Sequence, residues 1–308
     1  MTLMTRRRMR PWLGTYVTVE AGMATEAEAL RVIEAAFARV AEVHLAMSFH
    51  SADSEIARLH REAAHRPTPV GEHTWSVLAL TLRLAALSDG VFDPTVAASL
   101  VRHGALPRPD GPAPHPRATW RDIELLDDRH VRFHRPLWLD LGGIAKGHAV
   151  DCAIDAMLEL GASHALVNAG GDLRIAGERT EGLPLTIRAP DAPHRHLPLG
   201  VLSTGAAATS GDFLFGRSDP APAISPLVDP HKGVRPAQAR SVTVLAPTCA
   251  LADGLTKIVG LRDTASLPVL RLLDAHAAIL DTPDTLQVTD GFWQQLVPPP
   301  YIGPALHV

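Results

Sequence analysis

Cysteine is scarce in this sequence, which has only Cys152 and Cys249 in 308 residues. Both fall inside predicted helices rather than in a spaced framework, so a disulfide scaffold is excluded and a reducing compartment is expected. The sequence also lacks an apolar run of transmembrane length, and no signal-peptide core or cleavage site precedes the first predicted strand. These absences predict a cytoplasmic protein, or an exported one whose start was trimmed.

The sequence has no large excess of either charge, with 29 basic and 33 acidic residues and a net charge of −4. This balance gives no electrostatic reason to expect nucleic acid as a partner. The basic residues cluster only at Arg6-Arg7-Arg8 and Arg10, which we interpret as a solvated tail over residues 1–11. Residues 12–308, with ample apolar material for a core, are predicted to form a single domain.

Strands separated by tight turns and interrupted by long helices are typical of the α+β class rather than of a doubly wound sheet. Residues 16–21 alternate as a strand, and Thr25 with Glu28 forms a capping box for the helix that follows. Residues 137–141 are predicted to be a strand, and residues 146–160 and 248–261 are predicted helices. Residues 216–239 are predicted to be a proline-rich loop.

Residues 137–151 combine an apolar strand, a Gly142-Gly143 bend and a helix that carries Lys146 in its first turn. Unpaired N–H groups, the helix dipole and a mobile cation together make a site suited to a phosphate-sized anion. A tight strand-to-helix turn with a solvated lysine is the alternative. The run matches neither the Walker A loop nor the dinucleotide fingerprint.

A set of short motifs, read in order along residues 12–261, resembles the ApbE family of FAD:protein FMN transferases. A single motif of this length can occur by chance, but eight such motifs in the same order rarely occur together by chance. They are Leu13-Gly14-Thr15, Met47-Ser48-Phe49-His50 with Asp53-Ser54-Glu55-Ile56, Asp89-Gly90-Val91-Phe92-Asp93-Pro94-Thr95, the run from Asp140 to Asp151, Val167-Asn168-Ala169-Gly170-Gly171-Asp172, Thr209-Ser210-Gly211-Asp212, Asp229-Pro230 and Ala252-Asp253-Gly254-Leu255.

The resemblance implies an ApbE-like fold of mixed, mostly antiparallel sheets with long helices packed on them. It also implies Mg²⁺-dependent transfer of the FMN half of FAD to a threonine or serine hydroxyl of an acceptor redox protein, with release of AMP. FAD is then a substrate, Mg²⁺ the cofactor, and the acceptor protein a partner. The implied flavin-nucleotide residues are Leu13, Phe49, Val91, Phe92, Asp93, Asp140, Lys146, Leu227 and Val228.

The implied metal ligands are Asp253, the carbonyl of Gly143 and a hydroxyl on the helix of Asp253. The family usually has threonine four residues after this aspartate, where this sequence has Lys257, and the threonine comes one residue earlier, at Thr256. An ammonium cannot ligate Mg²⁺. Three readings stay open: Thr256 supplies the oxygen, water does, or Lys257 takes over part of the metal's charge. A surface lysine paired with Asp253 is a fourth.

The implied base for the acceptor hydroxyl is a histidine three residues before the Asp-Pro motif, but this sequence has Pro226 there. His231, just after Pro230, is the alternative base, because a base need only reach the attacking hydroxyl. An incidental loop histidine is the other reading, since the chain has 16 histidines. The departures at Pro226 and Lys257 leave two other functions open, an FAD-binding protein without transfer activity and an FAD pyrophosphatase that gives FMN and AMP.

Overall fold

The structure is a computed structural model that describes residues 3–177, 182–190, 192, 194–211, 227–234, 240–281, 285–297 and 306–307. The chain forms two compact units. Unit 1 comprises Met1–Ala41, Lys146–Phe215 and Gln238–Val308, and unit 2 comprises Glu42–Ala145 and Gly216–Ala237. A single domain over residues 12–308 stays a prediction. Pro226, Asp212 and most of the predicted loop at 216–239 lie outside the described residues.

The helices and strands follow one another along the chain in an irregular order. The helices are α1 (Glu26–Met47), α2 (Glu55–Glu62), α3 (Glu72–Leu87), α4 (Ala97–Arg102), α5 (Ala145–Glu159), α6 (Cys249–Arg262) and α7 (Leu267–Leu272). The strands are β1 (Met4–Trp12), β2 (Thr15–Met23), β3 (Thr68–Pro69), β4 (Ile123–Leu126), β5 (His130–Phe133), β6 (His164–Ala169), β7 (Asp172–Gly177), β8 (Leu183–Arg188), β9 (His196–Leu202), β10 (Gly205–Gly211), β11 (Arg240–Ala246), β12 (His276–Asp281), β13 (Thr285–Val288) and β14 (Leu306–His307).

Unit 1 is built on a sheet of nine strands in the order β1-β2-β6-β7-β10-β11-β12-β13-β14. Neighbouring strands are antiparallel except β13 and β14, which are parallel. Strands β8 and β9 form a separate antiparallel pair. The mixed, mostly antiparallel α+β fold is therefore confirmed.

Alternate residues of β6 enter two different hydrophobic cores, because successive side chains of a strand point to opposite faces of the sheet. Val167 packs with Val19, with Phe37 of α1 and with Ile154 of α5. Its neighbour Leu166 belongs to a second cluster that includes residues of β8, β9 and β12. The helices thus cover one face of the large sheet and the β8–β9 pair covers the other.

The first arginines lie in strand β1, which pairs with β2 over its whole length. The interpretation of residues 1–11 as a solvated tail is therefore wrong. Arg6, Arg7 and Arg10 pair with the carboxylates of Glu26, Glu20 and Glu34, respectively. Backbone pairing with β2 and these ion pairs supply partners that composition alone does not reveal.

The capping box predicted before α1 is confirmed. The Thr25 hydroxyl accepts a hydrogen bond from Glu28 N at 3.2 Å, and the Glu28 carboxylate accepts one from Thr25 N at 3.0 Å. Helix α6 begins similarly, with the Thr248 side chain accepting from Leu251 N. Among the residues that the structure describes, no helix has the length and hydropathy needed to cross a membrane.

Unit 2 contains α2, α3 and α4 with a three-stranded sheet in the order β3-β5-β4. Residues 137–141 were predicted to be a strand, and that prediction is wrong. Their side chains are largely buried, but Leu139 N donates to His60 Nε2 at 2.8 Å and Asp140 N donates to the Pro94 carbonyl at 2.8 Å. These partners satisfy the backbone without a neighbouring strand.

His60 belongs to α2, is 2% exposed, and contacts this segment through its ring. Burial lowers the pKa of His60 from 6.5 to about 4, because the imidazolium would lose its hydration. Between these two values the unfolded chain takes up a proton that the folded chain does not. We therefore expect the free energy of unfolding to fall by about 3 kcal/mol as the pH is lowered from 6.5 to about 4. Above pH 6.5 this contribution of the neutral histidine to stability is complete.

Urea unfolding of the wild type and of His60→Gln between pH 7.5 and 4 measures this effect. Glutamine offers an acceptor oxygen but takes up no proton. The free energy of unfolding of the variant should therefore lack most of the pH dependence that protonation of His60 causes in the wild type. An identical pH dependence in both proteins would contradict a neutral, buried His60.

Candidate functional site

In unit 1, Asp253 lies in α6 with its side chain completely buried. Its Oδ1 accepts a hydrogen bond from Lys257 Nζ, one helical turn later. Its Oδ2 accepts from Lys146 Nζ at 3.1 Å and from Gly147 N at 3.3 Å. The carboxylate therefore lies between two ammonium groups and meets the first turn of α5.

Lys146 also contacts a second buried carboxylate, with Nζ at 2.5 Å from Asp172 Oδ2. Lys257, Asp253, Lys146 and Asp172 thus alternate in charge, and we call these four residues the lysine–aspartate row. The side chains of the two lysines are 20% and 28% exposed, whereas those of the two aspartates are at most 3% exposed. The lysine side chains are therefore the partly exposed members of the row.

The electrostatics of the row favour its charged state at Asp253 and Lys146. Burial alone raises the pKa of Asp253, but Lys146 and Lys257 outweigh it and the net pKa is lowered. Burial likewise opposes the charge of Lys146, and the two carboxylates outweigh it and raise its pKa. Burial and the charge of Asp253 raise the pKa of Asp172. Lys146 is therefore a permanent cation at the start of α5.

A group of hydroxyls lies beside the row. Thr256 Oγ1 donates to the carbonyl of Asp253 at 2.7 Å and shares a hydrogen bond of 2.8 Å with Ser210 Oγ of β10. On the neighbouring strand pair, Thr209 and Thr243 share a hydrogen bond of 2.9 Å. The Thr256 hydroxyl is thus directed to its own helix and to β10.

These donors do not fit a divalent cation bound by the carboxylate of Asp253 and the hydroxyl of Thr256. Both carboxylate oxygens already hold ammonium groups, and a third cation on the same oxygens would meet their repulsion. The Thr256 hydroxyl already has two partners, since it donates to the Asp253 carbonyl and shares a hydrogen bond with Ser210. Gly143, the third implied ligand, lies in the turn before α5 and belongs to unit 2.

Asp151, which ends one of the sequence motifs but was given no role there, positions α6. Its Oδ1 accepts from Cys249 N at 3.0 Å and its Oδ2 accepts from Ala250 N at 2.8 Å, so it binds unpaired N–H groups of the helix start. Arg174 Nη1 lies 3.2 Å from the same carboxylate. The contact joins α5 to α6 and so fixes Asp253 opposite Lys146. Nothing in the sequence spacing indicates it, since the partners are 98 and 99 residues apart.

In unit 2, Asp93 caps a 3₁₀ turn that follows the buried residues Val91 and Phe92. Its Oδ1 accepts from Thr95 N at 2.8 Å, and its Oδ2 accepts from Trp120 N at 3.2 Å. Burial raises the pKa of Asp93, against the opposing effects of these bonds and of His231. Asp93 is thus a buried carboxylate within electrostatic reach of a histidine.

His231 lies in a turn that Asp229 organises. Asp229 Oδ1 accepts from His231 N at 2.9 Å and from Lys232 N at 3.2 Å. The His231 ring approaches Gly90, where a Cβ would lie 3.8 Å from His231 Cε1 and 2.9 Å from Trp120 Nε1. Gly90 has φ +76, so glycine meets both the backbone and the space requirement there. The turn therefore brings His231 to the segment that carries Asp93.

The other predicted nucleotide residues are spread over both units. In unit 2, Asp140 Oδ1 accepts from Gly142 N at 2.9 Å, and Phe49 meets the ring of His60 edge-on at 5.4 Å between centroids. Val228 is buried and Leu227 precedes it. In unit 1, Leu13 packs against the hydrophobic cluster that contains Val19 and Val167. Their roles toward a nucleotide stay predictions.

The sequence is similar to those of the ApbE family and of FAD:protein FMN transferases. A model of the ApbE family matches residues 13–279. A FAD:protein FMN transferase of Vibrio cholerae is 31% identical over 229 residues, which covers 70% of this chain and 68% of that protein. A FAD:protein FMN transferase of Haemophilus influenzae is 29% identical over 235 residues, with the same coverage of 70% and 68%.

Solved structures share the fold. The flavin transferase ApbE from Vibrio cholerae matches with a TM-score of 0.77 at 25% identity and covers 93% of this chain and 97% of that one. The apo form of the flavinyl transferase ApbE from Pseudomonas stutzeri matches with a TM-score of 0.81 at 22% identity and covers 96% and 98% of the two chains. The match to the family model includes every residue of the lysine–aspartate row.

Proposed function

The chain belongs to the ApbE family, and from that premise we propose that it transfers the FMN half of FAD to a hydroxyl of an acceptor protein and releases AMP. The observation that supports this most directly is the lysine–aspartate row. Two lysines with partly exposed side chains, one of them in the first turn of a 15-residue helix, suit a diphosphate, which carries negative charge on two adjacent groups.

The reaction is a displacement at phosphorus. The acceptor hydroxyl oxygen forms a bond to the phosphorus of the FMN half, and the bridging bond from that phosphorus to the AMP oxygen breaks. The hydroxyl proton passes to a base, and AMP leaves with the bridging oxygen. Cationic donors aimed at the phosphate oxygens stabilise the charge that spreads over them in the transition state.

Lys146 is proposed to bind one phosphate of FAD. An ammonium has three donors, and Asp172 and Asp253 account for two of them among the residues that the structure describes. The third donor remains for a ligand. The two carboxylates hold the ammonium in place before the substrate arrives, so little reorganisation is needed on binding.

A requirement for Mg²⁺ stays a prediction of the family resemblance. Magnesium would neutralise phosphate charge, but the donors at Asp253 and Thr256 do not fit it as they stand. No step of the proposed reaction is therefore assigned to a metal at Asp253. Measuring transfer with and without EDTA tests the requirement for the whole protein.

His231 is proposed to accept the proton of the acceptor hydroxyl, supported by the nearby charge of Asp93. We expect His231→Gln to lower kcat by about 10²–10⁴-fold and to leave the KM for FAD within a factor of about 3, because proton transfer is lost but nucleotide contacts are not. Steady-state rates of AMP release measure both constants.

His134→Gln is the matched control, because this half-exposed histidine pairs with Glu124 at the surface of unit 2. It should leave both constants unchanged. An unchanged kcat in His231→Gln would exclude His231 as the base.

The acceptor is proposed to be a redox protein with a threonine or serine in a segment of the S/T-G-A-T type, and the site of action is proposed to be the cytoplasm. A test incubates the protein with FAD and such an acceptor, and follows labelled protein, free FMN and AMP together. Labelled acceptor with one AMP per flavin is the expected result. Free FMN with AMP would indicate a pyrophosphatase, and bound FAD without AMP would indicate a binding protein.

A further inference from the structure

Lysine is rare in this protein, which has three lysines against 26 arginines. Two of the three, Lys146 and Lys257, bind the same carboxylate of Asp253, although they come from different helices. Among the other residues that the structure describes, arginine forms most of the ion pairs, and His73, His134, His164 and Lys232 form the rest of those identified. The lysine ammonium is a compact point charge, whereas the arginine guanidinium is a planar fork of donors. This protein therefore places two of its three ammonium groups at Asp253.

Lys257 is held at Asp253 by two contacts. Its Nζ donates to Asp253 Oδ1 and, at 3.0 Å, to the carbonyl of Asp253. A carboxylate oxygen and a backbone carbonyl are also the oxygen types that a hard cation takes in proteins. The ammonium of Lys257 thus takes the position at these two oxygens that a metal cation could take, and supplies the positive charge itself.

Each lysine of the row keeps one donor for a ligand. Lys257 uses two of its three donors on Asp253, and Lys146 uses one each on Asp253 and Asp172, within the part of the chain that the structure describes. Both lysine side chains are partly exposed. Two ammonium groups on one carboxylate can therefore each donate to one phosphate of a diphosphate.

We propose that Lys257 is a tethered cation that replaces a divalent ion at Asp253, so that the row binds the diphosphate of a dinucleotide through Lys146 and Lys257. This inference rests on the proposed function for the identity of the diphosphate. The replacement of the ion itself is independent of that function, because it concerns only Asp253 and its partners.

Direct binding of Mn²⁺, a spectroscopic substitute for Mg²⁺, tests the replacement in the full chain without any nucleotide. Electron paramagnetic resonance counts free Mn²⁺ during titration of the wild type, Lys257→Thr and Lys257→Gln. We expect no saturable Mn²⁺ site at Asp253 in the wild type. Removing an ammonium in contact with the carboxylate should strengthen Mn²⁺ binding by on the order of 100-fold or more in both variants.

Two further variants make the result specific. Lys232→Thr removes the third lysine, which is largely exposed in unit 2, and should behave as the wild type. Lys257→Thr combined with Asp253→Asn should lose the site that Lys257→Thr created. Circular dichroism melts show whether each variant is folded, and Lys257→Gln keeps the experiment informative if the threonine variant is not.

Binding of FAD supplies a second readout. In the wild type the Kd for FAD should change by less than about 2-fold when EDTA replaces Mg²⁺. In Lys257→Thr, FAD binding should weaken at least about 10-fold in EDTA and recover with Mg²⁺, because one phosphate has lost its cation.

A wild-type Mn²⁺ site that Asp253→Asn abolishes would overturn the inference, as would unaltered Mn²⁺ binding in both folded Lys257 variants. Failure of the proposed function gives a different pattern. In that case no labelled acceptor forms under any condition, while the Mn²⁺ titrations still separate the wild type from the Lys257 variants.

Discussion

Asp253→Asn is expected to lower the free energy of unfolding by about 3–5 kcal/mol and flavin transfer by on the order of 10²-fold or more. Asparagine has the same shape but no charge, so it leaves Lys146 and Lys257 without the anion between them. Lys146 keeps its ion pair with Asp172, whereas Lys257 keeps a hydrogen bond to the carbonyl of residue 253 and the more remote charge of Asp172. Urea unfolding at pH 7 measures the first effect, and labelling of an acceptor measures the second.

Asp155→Asn is the matched control. Asp155 lies in α5 with its side chain 58% exposed and pairs with Arg174 at 2.9 Å. An exposed pair contributes at most about 1 kcal/mol, so this variant should be nearly as stable as the wild type. If Asp253→Asn lowered the free energy of unfolding as little as Asp155→Asn, the charge of Asp253 would not stabilise the row, and the position of Lys146 would not require that charge.

Gly147→Ala is expected to lower the free energy of unfolding by about 3 kcal/mol or more. A Cβ at this position would lie 2.3 Å from the carbonyl oxygen of Cys249 and 2.6 Å from Ala250 Cα. Both are backbone atoms and cannot rotate away. Helices α5 and α6 would have to separate, and the contact between Gly147 N and Asp253 would lengthen. Thermal and urea unfolding measure the loss.

Gly161→Ala is the comparison for this second prediction. Gly161, just beyond α5, has φ +83 and no atom within 4 Å of a Cβ. Alanine there meets only backbone strain, which costs about 1 kcal/mol. A smaller loss in Gly147→Ala than in Gly161→Ala would show that α5 and α6 are not closely packed at Gly147.

Local signals in the sequence predicted the elements that have strong local causes. The capping box of Thr25 and Glu28 marks the start of α1, and Thr248 marks the start of α6. Strand β10 was missed because Gly205–Gly211 contains only glycine, alanine, threonine and serine, none of which forms a hydrophobic alternation. Its strand conformation comes from pairing with β7 and β11.

Long-range contacts decided the cases in which the sequence misled. Residues 137–141 have the composition of a strand, but His60, 79 residues away, binds the backbone of Leu139. The arginines of β1 resemble a solvated tail until Glu20, Glu26 and Glu34 are placed beside them. Periodicity and spacing carry no information about partners so distant in sequence.

The candidate site was predicted only in part, since Asp172 of the lysine–aspartate row appeared at the end of a motif and was given no role. Lys146, Asp253, Thr256 and Lys257 were identified from motifs that resemble a family, and the structure brings these four together. That Lys146 and Asp253 meet could not be deduced from the residues alone, since they are 107 positions apart. Asp151 and His60 were given no role because each acts on the backbone of another segment.

The most direct test is mass spectrometry of an acceptor redox protein after incubation with this protein and FAD, with chromatography of the released nucleotides. We expect FMN attached through a phosphodiester to one threonine or serine, one AMP per attached flavin, and no attachment when that residue is replaced by valine. An unlabelled acceptor in the presence of demonstrably bound FAD would contradict a flavin transferase.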